Sequence, residues 1–165
     1  MMSSNKSIFT ILFVFIFFFA CDSEVGDKSN NSDNFIKVTK VIDGDTFWAD
    51  NGTDKVVKVR LIGVDAPESR KSFNKEVGYY GEESKQYLTQ LLLHKHVHLV
   101  SDVDSLDRFG RTLSYVYLKD GTFVNAELIK NGYATVMTIP PNVKYADLFV
   151  KLQREARRNN SGLWK

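Results

Sequence analysis

The chain has 165 residues, 43% of them hydrophobic and 25% charged, with a formal net charge of +2. That length suits one domain with a single core, and so ordinary a composition excludes collagen-like repeats and wholesale disorder. A single cysteine excludes an intrachain disulfide framework and a multi-cysteine zinc site, and +2 alone does not mark a nucleic-acid binder.

The averages hide an uneven start. Of the twelve phenylalanines, six lie between Phe9 and Phe19. Residues 8–20 are apolar apart from Thr10, and Lys6 stands just before them. The run falls short of the ~20 residues of a transmembrane helix. It has the pattern of a secretory signal peptide, predicted over residues 1–20. The only cysteine, Cys21, follows the small Ala20. This resembles a bacterial lipoprotein signal, in which the cysteine is lipidated and opens the mature chain, although Phe18 departs from the usual aliphatic residue. The alternative is an ordinary secretory signal with a chance cysteine. Residues 22–34 are polar, with one valine and no aromatic residue. Such a stretch buries too little apolar surface to offset its ordering entropy, so residues 21–34 read as a lipidated cysteine and a flexible tether. The expectation is an exported protein, anchored to a membrane at the cell envelope or surface through Cys21, or otherwise secreted. Residues 36–165 hold 20 Lys and Arg against 16 Asp and Glu, so the domain carries +4. That excess is weak evidence for an anionic ligand.

The domain, predicted over 35–165, begins with strands. Residues 36–41 alternate imperfectly, Asp43-Gly44-Asp45 punctuates them, and 46–49 lead to a turn at Asp50-Asn51-Gly52. Val56, Val57, Val59, Leu61 and Ile62 make a third strand ending at Gly63. Tyr87, Leu88, Leu91 and Leu92 recur at helical spacing after Glu82 and Glu83, with Gly81 at the entry. Residues 96–101 and 112–118 return to alternation. Asn125 reads as the N-cap of a short helix ending at Asn131-Gly132, with Gly132 just past its end. A last helix is predicted over 145–159, with Leu148, Leu152 and Ala156 inward and Lys151, Arg154, Arg157 and Arg158 solvated. Leu163 and Trp164 are expected to fold back. The reading is an α+β, mainly β domain: five strands and three helices, suggesting a small barrel with helical additions.

Three short segments concentrate charge: 41–46, 60–68 and 107–111. Taken singly, each is an ordinary turn or surface strand. Together they have chemical meaning. Asp45 and Asp65, from two turns, can converge on a hard cation such as Ca²⁺, which takes oxygen ligands. Arg60 and Arg111 can clamp one phosphate through planar, bidentate hydrogen bonds. Glu68 can orient or deprotonate water. These are the parts that phosphodiester hydrolysis needs.

The sequence here resembles the staphylococcal nuclease-like, or thermonuclease, family. The motifs occur in order: IDGDT at 42–46, VRLIGVDAPES at 59–69, YGEES at 80–84, DRFGR at 107–111, VNAELIKNGYA at 124–134 and GLW at 162–164. The resemblance implies a five-stranded OB-type barrel with three helices. It implies a Ca²⁺-dependent phosphodiesterase acting on DNA and RNA, with single-stranded or unpaired substrate preferred, 3′-phosphate products, and a monomer. Carried over by motif, the metal ligands are Asp45, Asp65 and the backbone carbonyl of Ala66, with Asp43 an acid beside the metal that does not bind it directly. Arg60 and Arg111 are the catalytic arginines, and Glu68 is the general base or water orienter.

Departures from the family fall on the substrate side. Arg108 and Phe109 stand where a phosphate-contacting lysine and tyrosine occur in the best-known member, so Phe109 lacks one hydroxyl. Residues 137–141 correspond to a loop with stacking tyrosines, and Thr138 and Pro140 replace the aromatics. Tyr145 is a candidate to compensate. His94, His96 and His98 alternate but read as a solvated strand face rather than a metal site. Tyr79-Tyr80 reads as packing rather than a stacking pair for nucleic acid. The rival function is a non-catalytic OB-fold surface lipoprotein that captures nucleic acid. A pure binder is expected to have lost one of Asp45, Arg60, Asp65, Glu68 or Arg111, and all are present.

Overall fold

The computed structural model describes residues 35–50, 52, 55–71 and 76–165. Residues 1–34, where a signal peptide, a lipidated Cys21 and a tether are expected, lie outside the described residues. The strands are β1 (Phe35–Asp43), β2 (Thr46–Asp50), β3 (Val56–Leu61), β4 (Gly63–Asp65), β5 (His96–Val100), β6 (Thr112–Leu118) and β7 (Thr135–Met137). The helices are α1 (Gly81–Leu92), α2 (Val124–Lys130) and α3 (Ala146–Arg158), and a 3-10 turn follows at Gly162–Trp164. Five strands close a barrel in the order β1-β2-β3-β6-β5. All neighbours are antiparallel except β3 and β6, which run parallel. This is the expected mainly-β, OB-type barrel with three helices.

The imperfect alternation of β1 has a physical cause. Its pairing with β2 is irregular between Val38 and Lys40 and again between Val41 and Asp43. A bulge inserts one residue and shifts which side chain faces inward. Val38 and Val41, three apart, are therefore both buried. Phe47, Ala49, Val59, Leu61, Val97 and Val116 fill the barrel from the other strands. Leu88 and Leu92 of α1, Leu128 and Ile129 of α2 and Phe149 of α3 close its ends and sides.

Four sequence expectations change. A second, two-stranded sheet pairs β4 with β7, and strands of three residues are too short to show a period. Asn125 is not an N-cap: Phe123 occupies that position, and Asn125 is fully buried in the first turn. The inward face of α3 is carried by Phe149 and Ala156, with Leu152 half-buried, whereas Leu148 is exposed. His94 is not on the strand with His96 and His98 but in the turn before it, at φ 64°. Other expectations match. Gly132, at φ 73°, sits just past α2. The Gly132 and Tyr133 N–H groups donate to the Ile129 and Leu128 carbonyls, the paired bonds of a Schellman end. A Cβ on Gly132 would lie 2.1 Å from the Ser161 carbonyl oxygen, so the C-terminal turn folds back onto this glycine.

Candidate functional site

Strand register brings the charged segments together. Asp43 pairs with Thr46 across the β1–β2 turn, and Thr46 pairs with Arg60 on β3. The Leu61 N–H donates to the Asp45 carbonyl at 3.0 Å. The parallel β3–β6 ladder sets Val59 beside Thr112 and Arg60 beside Leu113. Arg111, the residue before β6, therefore reaches the same end of the barrel as Arg60.

After Leu61 the chain kinks at Ile62 and Gly63 to start β4, which delivers Asp65 and Glu68. The kink is fixed from three sides. Gly63 is at φ 76°, and a Cβ there would lie 2.5 Å from the Phe149 ring. The Ile62 N–H donates to the Ser114 carbonyl at 3.0 Å. The buried Asn125 side chain donates to the Ile62 carbonyl at 2.9 Å and accepts from the Val116 N–H at 2.9 Å. Beyond the kink, the Thr135 hydroxyl donates to the Asp65 carbonyl at 3.2 Å. Asn125 is a site-building residue that sequence reasoning missed, because an Asn near a helix start is normally a cap.

The acids gather around Arg60. Its Nη1 pairs with Asp45 Oδ2, and its Nη2 lies 3.2 Å from Asp65 Oδ1. The side chains of Arg60 and Asp45 are 13% and 10% exposed, and that of Asp65 is 43% exposed. Asp45 also accepts from the Thr46 hydroxyl at 2.8 Å and from the Ala66 N–H at 2.9 Å. Asp43 Oδ1 accepts from the N–H groups of Gly44 and Ser69 at 3.0 and 3.1 Å. Burial raises the Asp43 carboxyl above its ordinary value, and a hydrogen bond shared with Glu68 pushes the same way, while those N–H groups pull against it. Asp43 and Glu68 are thus neighbours.

Glycines let the Glu68 turn approach the helix behind it. The Gly78 N–H donates to the Glu68 carbonyl at 2.9 Å. A Cβ on Gly81 would sit 2.2 Å from that same oxygen, and one on Gly44 would sit 2.6 Å from the Ala66 Cβ.

A cleft of about 520 Å³ opens beside this group. Arg60 and Arg111 both line it. Arg111 is held from behind: its Nε donates to Asp107 Oδ2 at 2.6 Å, and its N–H donates to Asp107 Oδ1 at 2.9 Å. Burial alone would raise the Asp107 carboxyl, but these bonds, with one from the Phe109 N–H, outweigh it and hold it below the usual carboxylate range. Arg108 and Phe109 line the cleft too. The Phe109 ring is 69% exposed, and the guanidiniums of Arg108 and Arg111 lie 4.8 and 5.4 Å from its centroid.

The other wall departs from expectation. Met137, Ile139, Pro140 and Pro141 line it, with Leu106 nearby, whereas Thr138 does not. Asn142 anchors this loop, accepting from the Asp104 N–H at 2.8 Å and donating to the Asp104 carbonyl at 2.9 Å. No motif marks Ile139 or Asn142, since each is a single residue in a Pro-containing loop. Tyr145 does not line the cleft. It packs in an aromatic cluster with Tyr115, Phe123 and Phe149, and its hydroxyl lies 3.1 Å from that of Tyr117.

The donor chemistry suits a hard cation. Asp45, Asp65 and the Ala66 carbonyl offer only oxygen. Both carboxylates already share one cationic group, the Arg60 guanidinium, so they lie within reach of a single positive charge. Among the described residues no group of three or more His, Cys, Asp or Glu side chains is arranged to hold a metal. A set of two carboxylates and a carbonyl does not need one.

The class is an OB-type β-barrel domain with two arginines, Arg60 and Arg111, on one cleft and the Asp45–Asp65 carboxylate pair held beside it by Arg60. The family profile described as Staphylococcal nuclease homologue matches residues 58–165, and the chain belongs to that family. It is 41% identical over 129 residues to the Thermonuclease of Staphylococcus intermedius, covering 78% of this chain and 74% of that protein. It is 38% identical over 136 residues to the Thermonuclease of Staphylococcus hyicus, covering 82% and 79%. It is 30% identical over 164 residues to an uncharacterized endonuclease of Haemophilus influenzae, covering 99% and 80%.

Proposed function

We propose that this domain is a Ca²⁺-dependent nuclease that hydrolyses phosphodiester bonds of DNA and RNA and leaves 3′-phosphate products. The observation that carries the reading is the convergence of Arg60, on β3, and Arg111, just before its parallel neighbour β6, on one cleft beside the Asp45–Asp65 pair. The nuclease names of its relatives support it.

In this mechanism Asp45, Asp65 and the Ala66 carbonyl hold the cation, and Asp43 braces the turn behind them. A bound Ca²⁺ supplies positive charge to a phosphate oxygen. Glu68 accepts a hydrogen bond from the attacking water and orients it, or takes its proton. Arg60 and Arg111 hydrogen-bond the phosphate oxygens and stabilise the extra charge of the five-coordinate transition state. Asp107 keeps the Arg111 guanidinium aimed through its bond to Nε. Water adds to phosphorus, the bond to the 5′ oxygen breaks, that oxygen takes up a proton from solvent to become a 5′-hydroxyl, and the phosphate stays on the 3′ side.

The same proposal extends to the chain before the domain: export by residues 1–20, a membrane anchor on Cys21, and a catalytic domain held out by residues 22–34. The test of the site is hydrolysis of single-stranded DNA by Arg60→Gly and Glu68→Ser. Each should lose roughly 3–4 kcal/mol of transition-state stabilisation, or two to three decades in rate, at unchanged fold. Near wild-type rates in folded protein would overturn the assignment.

A further inference from the structure

We propose that Tyr79, Tyr80 and Tyr133, buttressed by Tyr87, form a second contact for single-stranded nucleic acid: a stacking platform behind the Glu68 turn and outside the cleft. The inference rests on the nuclease reading of that turn.

The four rings form one continuous run. Tyr79 and Tyr80 have centroids 5.8 Å apart, Tyr80 and Tyr133 5.6 Å, and Tyr133 and Tyr87 3.9 Å with the planes 9° from parallel. The inner end is fixed, because the Tyr87 hydroxyl accepts from Asn131 Nδ2 at 3.1 Å. The middle is pinned through the backbone. Ser84 Oγ lies 2.8 Å from the Tyr80 carbonyl and 2.5 Å from the Tyr133 carbonyl, and bonds to one of them at a time. Tyr80 sits at φ 67°, an uncommon conformation for a non-glycine residue. The outer end is open: the Tyr79 side of the run faces water, with that residue 68% exposed. A tyrosine needed only for packing would be covered.

The platform adjoins the chemistry. Tyr79 directly follows Gly78, whose N–H holds the Glu68 carbonyl. Tyr80 precedes Gly81, whose missing side chain lets that same oxygen approach. The rings therefore begin one residue from each of the glycines that hold the Glu68 turn. The charges nearby are mixed. Arg70 and Lys71 are exposed just beyond Glu68, and Lys165 acts on Tyr133, while Glu82 and Glu83 open α1 and Glu127 acts on Tyr87. With those charges of the described residues balanced, the platform holds bases by stacking, which any base can satisfy.

The test is binding by the full chain with a chelator present, read by anisotropy of labelled single-stranded DNA of ten and of two nucleotides. Tyr79→Ala should weaken the ten-nucleotide complex about tenfold, the scale of one lost base stack, and leave the dinucleotide complex within about twofold. Tyr79→Trp should retain the longer complex. Unchanged binding of the ten-mer by Tyr79→Ala, or equal loss for both lengths, would overturn the inference. Because chelated binding needs no turnover, this outcome is separate from the nuclease reading, which hydrolysis of the same ten-mer with Ca²⁺ tests independently.

Discussion

Replacing Asn125 by alanine should be among the costliest single changes in this fold, although the residue lies outside the cleft. Its side chain serves three backbone groups: the Val116 N–H at 2.9 Å, the Ile62 carbonyl at 2.9 Å and, more weakly, the Ser114 carbonyl at 3.4 Å. Val116 and Asn125 are fully buried and Ile62 is 5% exposed, so water does not replace the lost partners. A buried group left without its partner costs about 1–3 kcal/mol. Two such groups give roughly 3–4 kcal/mol, or a fall in Tm of roughly 10–15 °C for a domain of this size. The assay is urea and thermal unfolding of Asn125→Ala beside Asn125→Leu. Leucine refills the space without the hydrogen bonds, so it should be as damaging as alanine. A loss below about 1 kcal/mol in the alanine variant, or rescue by leucine, would refute the argument. Because the Ile62 kink aims Arg60 and Asp65, hydrolysis should fall further than the folded fraction does.

Two further changes probe the supports of the site. Gly63→Ala must adopt φ 76° and place its Cβ 2.5 Å from the buried Phe149 ring. Left-handed strain and overpacking together should cost about 2–4 kcal/mol in a denaturant titration, and a neutral result would contradict the packing described. The carboxyl of Asp107 is depressed in the folded protein. Its contribution is present above the unfolded carboxyl's value of 3.8 and is lost as pH falls through the lower folded value. Asp107→Asn should therefore be less stable than wild type at pH 7, and the gap should narrow as pH falls below 3.8 toward the depressed folded value. A gap independent of pH would exclude the ionised pair as its cause.

What the sequence made legible was chemistry carried by contiguous residues. Asp43, Asp45, Arg60, Asp65, Glu68 and Arg111 sit in or close to turns whose glycines and charges stand out locally, and the barrel register then brings those segments together. The strands were legible from alternation, with the β1 bulges visible only as an imperfect period. What was not legible depends on partners distant in the chain. Asn125 resembles a cap until Ile62 and Val116 are seen around it. Leu148 and Phe149 are both apolar, and only the position of Gly63 decides which one turns inward. The packing of Tyr145 against Tyr115 and Phe123 is likewise invisible until the fold brings those rings together. The aliphatic wall of the cleft, Met137 and Ile139, carries no pattern because it belongs to an irregular loop.

The most direct test of the account is hydrolysis of single-stranded DNA by the full chain with Ca²⁺ and after complete chelation. The account predicts cleavage to 3′-phosphate ends with Ca²⁺, loss of cleavage on chelation and recovery when Ca²⁺ is restored. Cleavage that persists under full chelation would contradict the role given to Asp45 and Asp65, and no cleavage with Ca²⁺ would contradict the proposed function itself.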